Sequence, residues 1–241
     1  PHWFQSFGAV MGMDWHSSGI TTSVLSALKR GLAPVEWELG VHVCGGRGQR
    51  SRQTPAELIA VSDRVGLDGA ALTQASRLVA KVDGAAVQDG YDIYLHGFVV
   101  GDDGKWAVVQ QGMNTDLREA RRYHWLAEGL TSFVDDPHAA IDGKPSAGQI
   151  INLTDRRAEP ARSAQVALVH EDPDVVLQTL ARHRTATRPS PVREDLELPF
   201  HHEVRVEDVS SRRLRSALVA AHERGPVDFA DLLLTPGVGP R

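Results

Sequence analysis

The sequence predicts a mixed α/β (α+β) fold: a helix-rich N-terminal domain holding a β-hairpin-containing sheet, then a small all-helical C-terminal unit. Three observations carry this expectation. Helical periodicity recurs from Gly19 to about Leu78. Two β-rich runs, Tyr91–Val100 and Lys105–Gln110, flank the turn signal Gly101-Asp102-Asp103-Gly104. Helical spacing then returns between Val206 and Glu223, after a proline-bearing stretch.

The elements follow in chain order. Ile20, Val24, Leu25 and Leu28 share one face of a helix over Gly19–Arg30, with Ser18 as N-cap and Gly31 as stop. A strand begins at Val41 and runs into the loop Gly45-Gly46-Arg47-Gly48-Gln49-Arg50-Ser51-Arg52. Thr54, Pro55 and Glu57 then supply an N-cap, a proline at the first helical position and a capping-box glutamate. Past the hairpin, Asp116–Ala127 is predicted to be helical and Gln149–Leu153 a short strand. Ala161–Val169 and Asp172–Arg184 read as helices, the second opened by Asp172-Pro173. Thr185–Leu198 contains Pro189 and Pro191 and lacks apolar periodicity, which predicts a boundary near residue 190 between a mixed domain (1–190) and a helical unit (191–241). Val209, Leu214, Leu218 and Val219 mark the helix of that unit.

Composition narrows the function classes. The chain of 241 residues is 41% apolar and 24% charged, which is ordinary globular usage. Its one cysteine, Cys44, excludes an intrachain disulfide framework, and a buried small residue is the expected role for it. Apolar runs are too short to span a bilayer and no secretory signal opens the chain, so a cytoplasmic, nucleoid-associated protein without a membrane partner is expected, its oligomeric state open. A net charge of −5 argues against coating nucleic acid by bulk charge and leaves a local basic patch as the route to DNA. The chain starts at Pro1 and stops at Arg241 inside a motif, so it is expected to be a piece of a longer protein.

That last motif is the most specific. Phe229-Ala230-Asp231-Leu232-Leu233-Leu234-Thr235-Pro236-Gly237-Val238-Gly239-Pro240-Arg241 resembles the first helix and hairpin of a helix-hairpin-helix, whose turn grips the DNA backbone. Gly237 and Gly239 can take positive φ and present backbone N–H groups beside Val238, with Arg241 placed for a phosphate. The competing reading is a tight Pro-Gly turn between packed helices. In the Gly45–Arg52 loop, Arg47, Arg50 and Arg52 stand among flexible glycines before a helix, an anion-binding composition that is neither a Walker loop nor a dinucleotide fingerprint. A solvated turn is its alternative.

Candidates for chemistry are grouped by proximity. Asp14 and His16 form an acid–base pair, unless Asp14 and Ser18 merely cap and His16 packs beside Trp15. Asp83 and Asp89 are expected to hold Mg²⁺ or Mn²⁺, Lys81 to steady developing charge and Gln111 to position water; turn-forming Asp and Gly is the alternative. Arg118, Arg121, Arg122, Tyr123, His124 and Trp125 would follow a nucleic-acid strand from one short helix, or simply solvate it. The adjacent His201 and His202 make a weak zinc pair.

Several segments read together carry a family resemblance: Phe4-Gln5 through Asp14-Trp15-His16-Ser17-Ser18-Gly19, Gly45-Gly46-Arg47-Gly48, Ala80-Lys81-Val82-Asp83 with Gln88-Asp89-Gly90, Trp106 through Asn114, and Ala120 through Leu126. The chain resembles a bacterial and archaeal family of unknown function, family 763, over nearly its whole length. The resemblance brings no activity, and it implies neighbouring sequence before Pro1 and after the hairpin. The expected function is DNA processing or repair by a metal-dependent nuclease. A DNA glycosylase using Asp14 to activate water, or a non-catalytic DNA-binding module, are the alternatives.

Overall fold

The computed structural model describes residues 2–13, 19–144, 150–186 and 211–239. Helices α1 (His2–Val10), α2 (Gly19–Leu32) and α3 (Glu36–Leu39) precede strand β1 (Val41–Arg47). A 3₁₀ turn at Gly48–Gln53 leads to α4 (Thr54–Val65) and α5 (Gly69–Lys81), and a π-helical turn at Val82–Ala86 leads to the short β2 (Val87–Gln88). Strands β3 (Asp92–Gly101), β4 (Trp106–Asn114), β5 (Glu119–Leu126) and β6 (Ala140–Asp142) follow, then β7 (Ile151–Asn152). Four helices complete the described chain: α6 (Glu159–His170), α7 (Pro173–Ala186), α8 (Ser211–Arg224) and α9 (Phe229–Leu233). The fold is mixed α+β, and no helix among the described residues is long and apolar enough to cross a membrane.

The main sheet has five strands in the order β1-β3-β4-β5-β6, every neighbour antiparallel, and β2 pairs with β7 in a small second sheet. Helices cover both faces. On one face Leu95 and Val109 pack with Phe4, Ile20, Val24 and Leu25 of α1 and α2. On the other, Phe98, Val100, Val108 and Trp125 join Leu58, Leu72 and Val79 of α4 and α5. Double coverage removes the alternation that marks a half-exposed strand: in β5 Arg121, Arg122, Tyr123, His124 and Trp125 are all buried. This corrects the helix expected over Asp116–Ala127. The polar side chains there alternate between two covered faces, each meeting partners in its own layer.

The C-terminal helices share this core. Leu218, Ala221, Phe229, Leu232 and Leu233 lie in one buried cluster with Leu58, Val79 and Trp125, so the helices beyond residue 210 extend the main core. The boundary expected near residue 190 falls outside the described residues.

Two glycines set close approaches. A side chain at Gly97 would stand 2.6 Å from Leu25 Cδ1, which lets α2 lie directly on β3. Gly45, at φ +85°, would place a Cβ 2.3 Å from the His96 carbonyl oxygen and 2.4 Å from Thr54 Oγ1. The expected capping box does not form. Thr54 donates back to the Ser51 carbonyl at 2.8 Å, while Glu57 accepts from the Gly45 N–H at 2.6 Å and pairs with Lys29 at 2.8 Å. Likewise α2 runs past Gly31, the expected stop, to Leu32.

Candidate functional site

Three clefts carry the polar chemistry, the second and third of them adjoining. The first, about 380 Å³, is lined by Lys29, Arg30, Gly45, Gly46, Arg47 and Arg50. The second, about 710 Å³, is lined by Arg52, Ser76, Arg77, Tyr91, His96 and Gln110. The third, about 550 Å³, shares Gly84, Tyr91 and Asp92 with the second and reaches Asp89, Phe229, Val238 and Gly239.

The short turn Gly48–Gln53 contributes to two clefts, Arg50 lining the first and Arg52 the second. Among the described residues Arg47, Arg50, Arg52 and Arg77 form no ion pair with a carboxylate, and Arg47 lies over the Tyr94 ring at 5.8 Å. Among the described residues the positive charge of the loop is therefore uncompensated, in a chain of net charge −5. Its first N–H is already taken, however, since Glu57 binds Gly45 N and draws Lys29 into a pair. The cations, and not the Gly45 amide, are what the loop offers an anion.

Asp83 and Asp89 are occupied by protein donors. Asp83, fully buried in the π-helical turn, accepts from Trp125 Nε1 at 2.9 Å and from Gln110 Nε2, and its second oxygen meets His138 Nε2. Asp89 accepts from Arg121 Nη1 and the Tyr123 hydroxyl, each at 2.7 Å, and from the Tyr91 N–H. Every carboxylate oxygen of the pair thus has a partner, an arrangement that does not match an open two-acid metal cradle. Among the described residues no group of three or more His, Cys, Asp and Glu side chains is placed to hold a metal ion.

Other expected partners separate as well. Gln111 faces away from Asp83, on the sheet face of α1 and α2, and accepts from the Tyr94 hydroxyl at 2.7 Å. Lys81 donates to the Val238 carbonyl, and burial lowers its pKa. Arg121 is 5% exposed, paired with Asp89, and also donates to the Lys144 carbonyl. Arg122 is equally buried, paired with Asp142 and stacked 5.3 Å over the Phe4 ring. Both arginines are thus interior ion-pair partners, which corrects their expected place on a nucleic-acid-facing helix. Gly237 and Gly239 do take positive φ, +86° and +118°, and both are exposed, while Val238 packs partly into the core. Cys44 is 2% exposed and burial pushes its thiol up to about 12, as expected of a structural residue. Asp14, His16, His201, His202 and Arg241 lie outside the described residues.

The residues that proximity reading missed are Ser76 and His138. Ser76 on α5 lies seven residues before Asp83, which stands in the π-helical turn that follows, and His96 and Gln110 are cross-strand partners of the hairpin. Together they form a buried chain: Ser76 Oγ to His96 Nε2 at 2.9 Å, His96 Nδ1 to Gln110 Oε1 at 2.7 Å, then Gln110 to Asp83 to His138.

No curated protein and no solved structure matches the chain. A family model described as "Protein of unknown function (DUF763)" matches residues 1–241, and the chain belongs to that family.

Proposed function

We propose that this protein binds the phosphate backbone of DNA and hydrolyses it, as a DNA-processing nuclease of the cytoplasm and nucleoid. The observation that carries the reading is the cationic band Arg47, Arg50, Arg52 and Arg77, whose members line two clefts and form no ion pair with a carboxylate among the described residues. Arginine suits phosphate because its planar fork supplies two parallel donors. The Gly237-Val238-Gly239 turn, with both glycines exposed and with Val238 and Gly239 lining the third cleft, supports a second backbone contact of helix-hairpin-helix type. Contacts of this sort position a protein on DNA without reading its sequence. They agree with a net charge of −5, since a local band and not the whole surface meets the nucleic acid.

The experiment incubates labelled single-stranded, duplex and forked DNA with the protein in Mg²⁺, in Mn²⁺ and in EDTA, and reads binding on native gels and strand breaks on denaturing gels. Binding with strand breaks is expected, and comparison of the three conditions tells whether cleavage requires a divalent cation. Intact DNA with retained binding would leave a recruiting module in place of the nuclease. Absence of binding to every DNA would end the reading.

A further inference from the structure

A serine in the middle of a helix ordinarily returns its hydroxyl to the carbonyl four residues back. Ser76, 3% exposed on α5, instead meets His96 Nε2 on β3. The network assigns the protons along this chain. Gln110 Nε2 is held between two acceptors, the Val79 carbonyl at 3.2 Å and Asp83 Oδ2, so the amide cannot be reversed without turning its oxygen on both. Its Oε1 therefore faces His96 Nδ1, which must carry the hydrogen. Nε2 is left with a lone pair directed at the Ser76 hydroxyl, which donates to it. The buried His42 and His124 are different: among the described residues each leaves Nδ1 without a hydrogen bond. Ser76, His96 and Gln110 all line the second cleft, as do Arg52 and Arg77.

We propose that Ser76 and His96 are a nucleophile–base pair acting on a phosphodiester bound in the cleft beside Arg52 and Arg77. The pair stands on its own hydrogen bonding; a nucleic acid as the diester rests on the function proposed above. Asp83 and Gln110 are positioning residues that hold the His96 tautomer, the role the third member plays in nucleophile–base–orienter sites. Burial lowers the His96 pKa, so the imidazole is neutral before reaction, while the Gln110 hydrogen bond and the Asp83 charge oppose that shift and favour the imidazolium once the proton arrives.

The steps balance. The Ser76 oxygen attacks phosphorus while its proton passes to His96 Nε2, and the bond from phosphorus to the leaving oxygen breaks. The leaving alkoxide takes a proton from water. The hydroxide so formed attacks the phosphoserine diester, the P–Oγ bond breaks, and His96 returns its proton to Ser76. The sum is one diester plus one water giving a monoester and an alcohol, with no oxidant, reductant or further co-reactant. Arg52 and Arg77 supply the charge that a phosphoryl transition state requires.

The test uses the full chain, end-labelled DNA and bis(p-nitrophenyl) phosphate as a small diester, in EDTA, with denaturing quench and peptide mapping of any label. The wild-type protein is expected to give an SDS-resistant adduct mapping to the Ser76 peptide and to hydrolyse the small diester. Ser76→Ala is expected to lose the adduct and about a hundredfold or more of the turnover, while keeping DNA binding and the melting transition. Turnover unchanged in Ser76→Ala, label on another residue, or no turnover of either diester by wild-type protein that still binds DNA would each overturn the pair. Hydrolysis of the small diester by a protein that binds no DNA would uphold the pair and overturn the DNA reading. The adduct mapping needs no variant, so a misfolded Ser76→Ala would not shield the proposal.

Discussion

At the scale of single residues, the interior of this protein is held by paired charge as well as by apolar packing. Asp83 has no solvent exposure and accepts from Gln110, Trp125 and His138. Asp83→Ala leaves Trp125 Nε1 and His138 Nε2 buried without an acceptor and takes one of two acceptors from Gln110 Nε2, so a loss of about 3 kcal/mol in unfolding free energy is expected from denaturant midpoints. A change below about 1 kcal/mol would show that these contacts are not made in solution. Acidic residues near Lys81 were legible in the sequence as chemistry; their commitment to Arg121, Tyr123, Trp125 and His138 was not, because those partners come from strands and loops remote in the chain. The exposed arginines were legible for the opposite reason. Arg47, Arg50 and Arg52 belong to one local glycine-rich turn, and local composition governs what a turn exposes.

Among the elements, the hairpin shows how a correct element can hide a site. The turn expected at Gly101–Gly104 implies that Val100 faces Lys105, whereas the observed loop is one residue longer, Gly101 N–H bonding the Lys105 carbonyl and Val100 facing Trp106. One residue of slip turns every side chain to the other face. In the observed register His96 meets Gln110, which gives the buried chain its middle. Strand β5 was misread for a related reason, since a strand buried on both faces by ion pairs has no period-two signal. The helices α4 to α7 were legible from their apolar spacing and proline openings. Two outcomes belong at this scale. Gly45→Ala is expected to lower stability by about 2 kcal/mol or more, because a left-handed residue there also collides with the His96 carbonyl; a melting temperature equal to wild type would contradict the close packing of β1 on β3. Lys81→Met removes the donor to the Val238 carbonyl and is expected to speed hydrogen exchange of the amides around Thr235–Gly239 while α5 stays protected; equal exchange in both proteins would show that Lys81 does not hold the turn.

For the whole molecule, two helical layers on one sheet bury titratable groups that prefer neutrality. Burial and the neighbouring Arg122 hold His124 at about 3, and burial also lowers His96. Groups facing His124 include Arg122 on its own strand and Asp142 across on β6, the latter opposing the shift. Below the ordinary histidine value of 6.5 the unfolded chain takes up protons that the folded protein refuses, so stability is expected to fall as pH drops from 6.5 toward 3. His124→Gln should flatten that slope; a slope unchanged by the substitution would remove His124 as its cause. The same architecture leaves local positive charge on an acidic protein, which is what the proposed DNA contact requires. Its interior charges cancel in pairs, and the arginines bordering the two clefts remain outside that cancellation.

The most direct measurement is the salt dependence of DNA binding by the wild-type protein and by an Arg47→Ala, Arg50→Ala, Arg52→Ala variant, with folding checked by melting. A plot of log affinity against log salt loses about 0.9 in slope for each phosphate contact removed. The account expects weaker binding and a slope shallower by about 2 to 3 in the variant, with little change in stability. An identical affinity and slope in the two proteins would contradict the claim that this band is where the protein meets DNA.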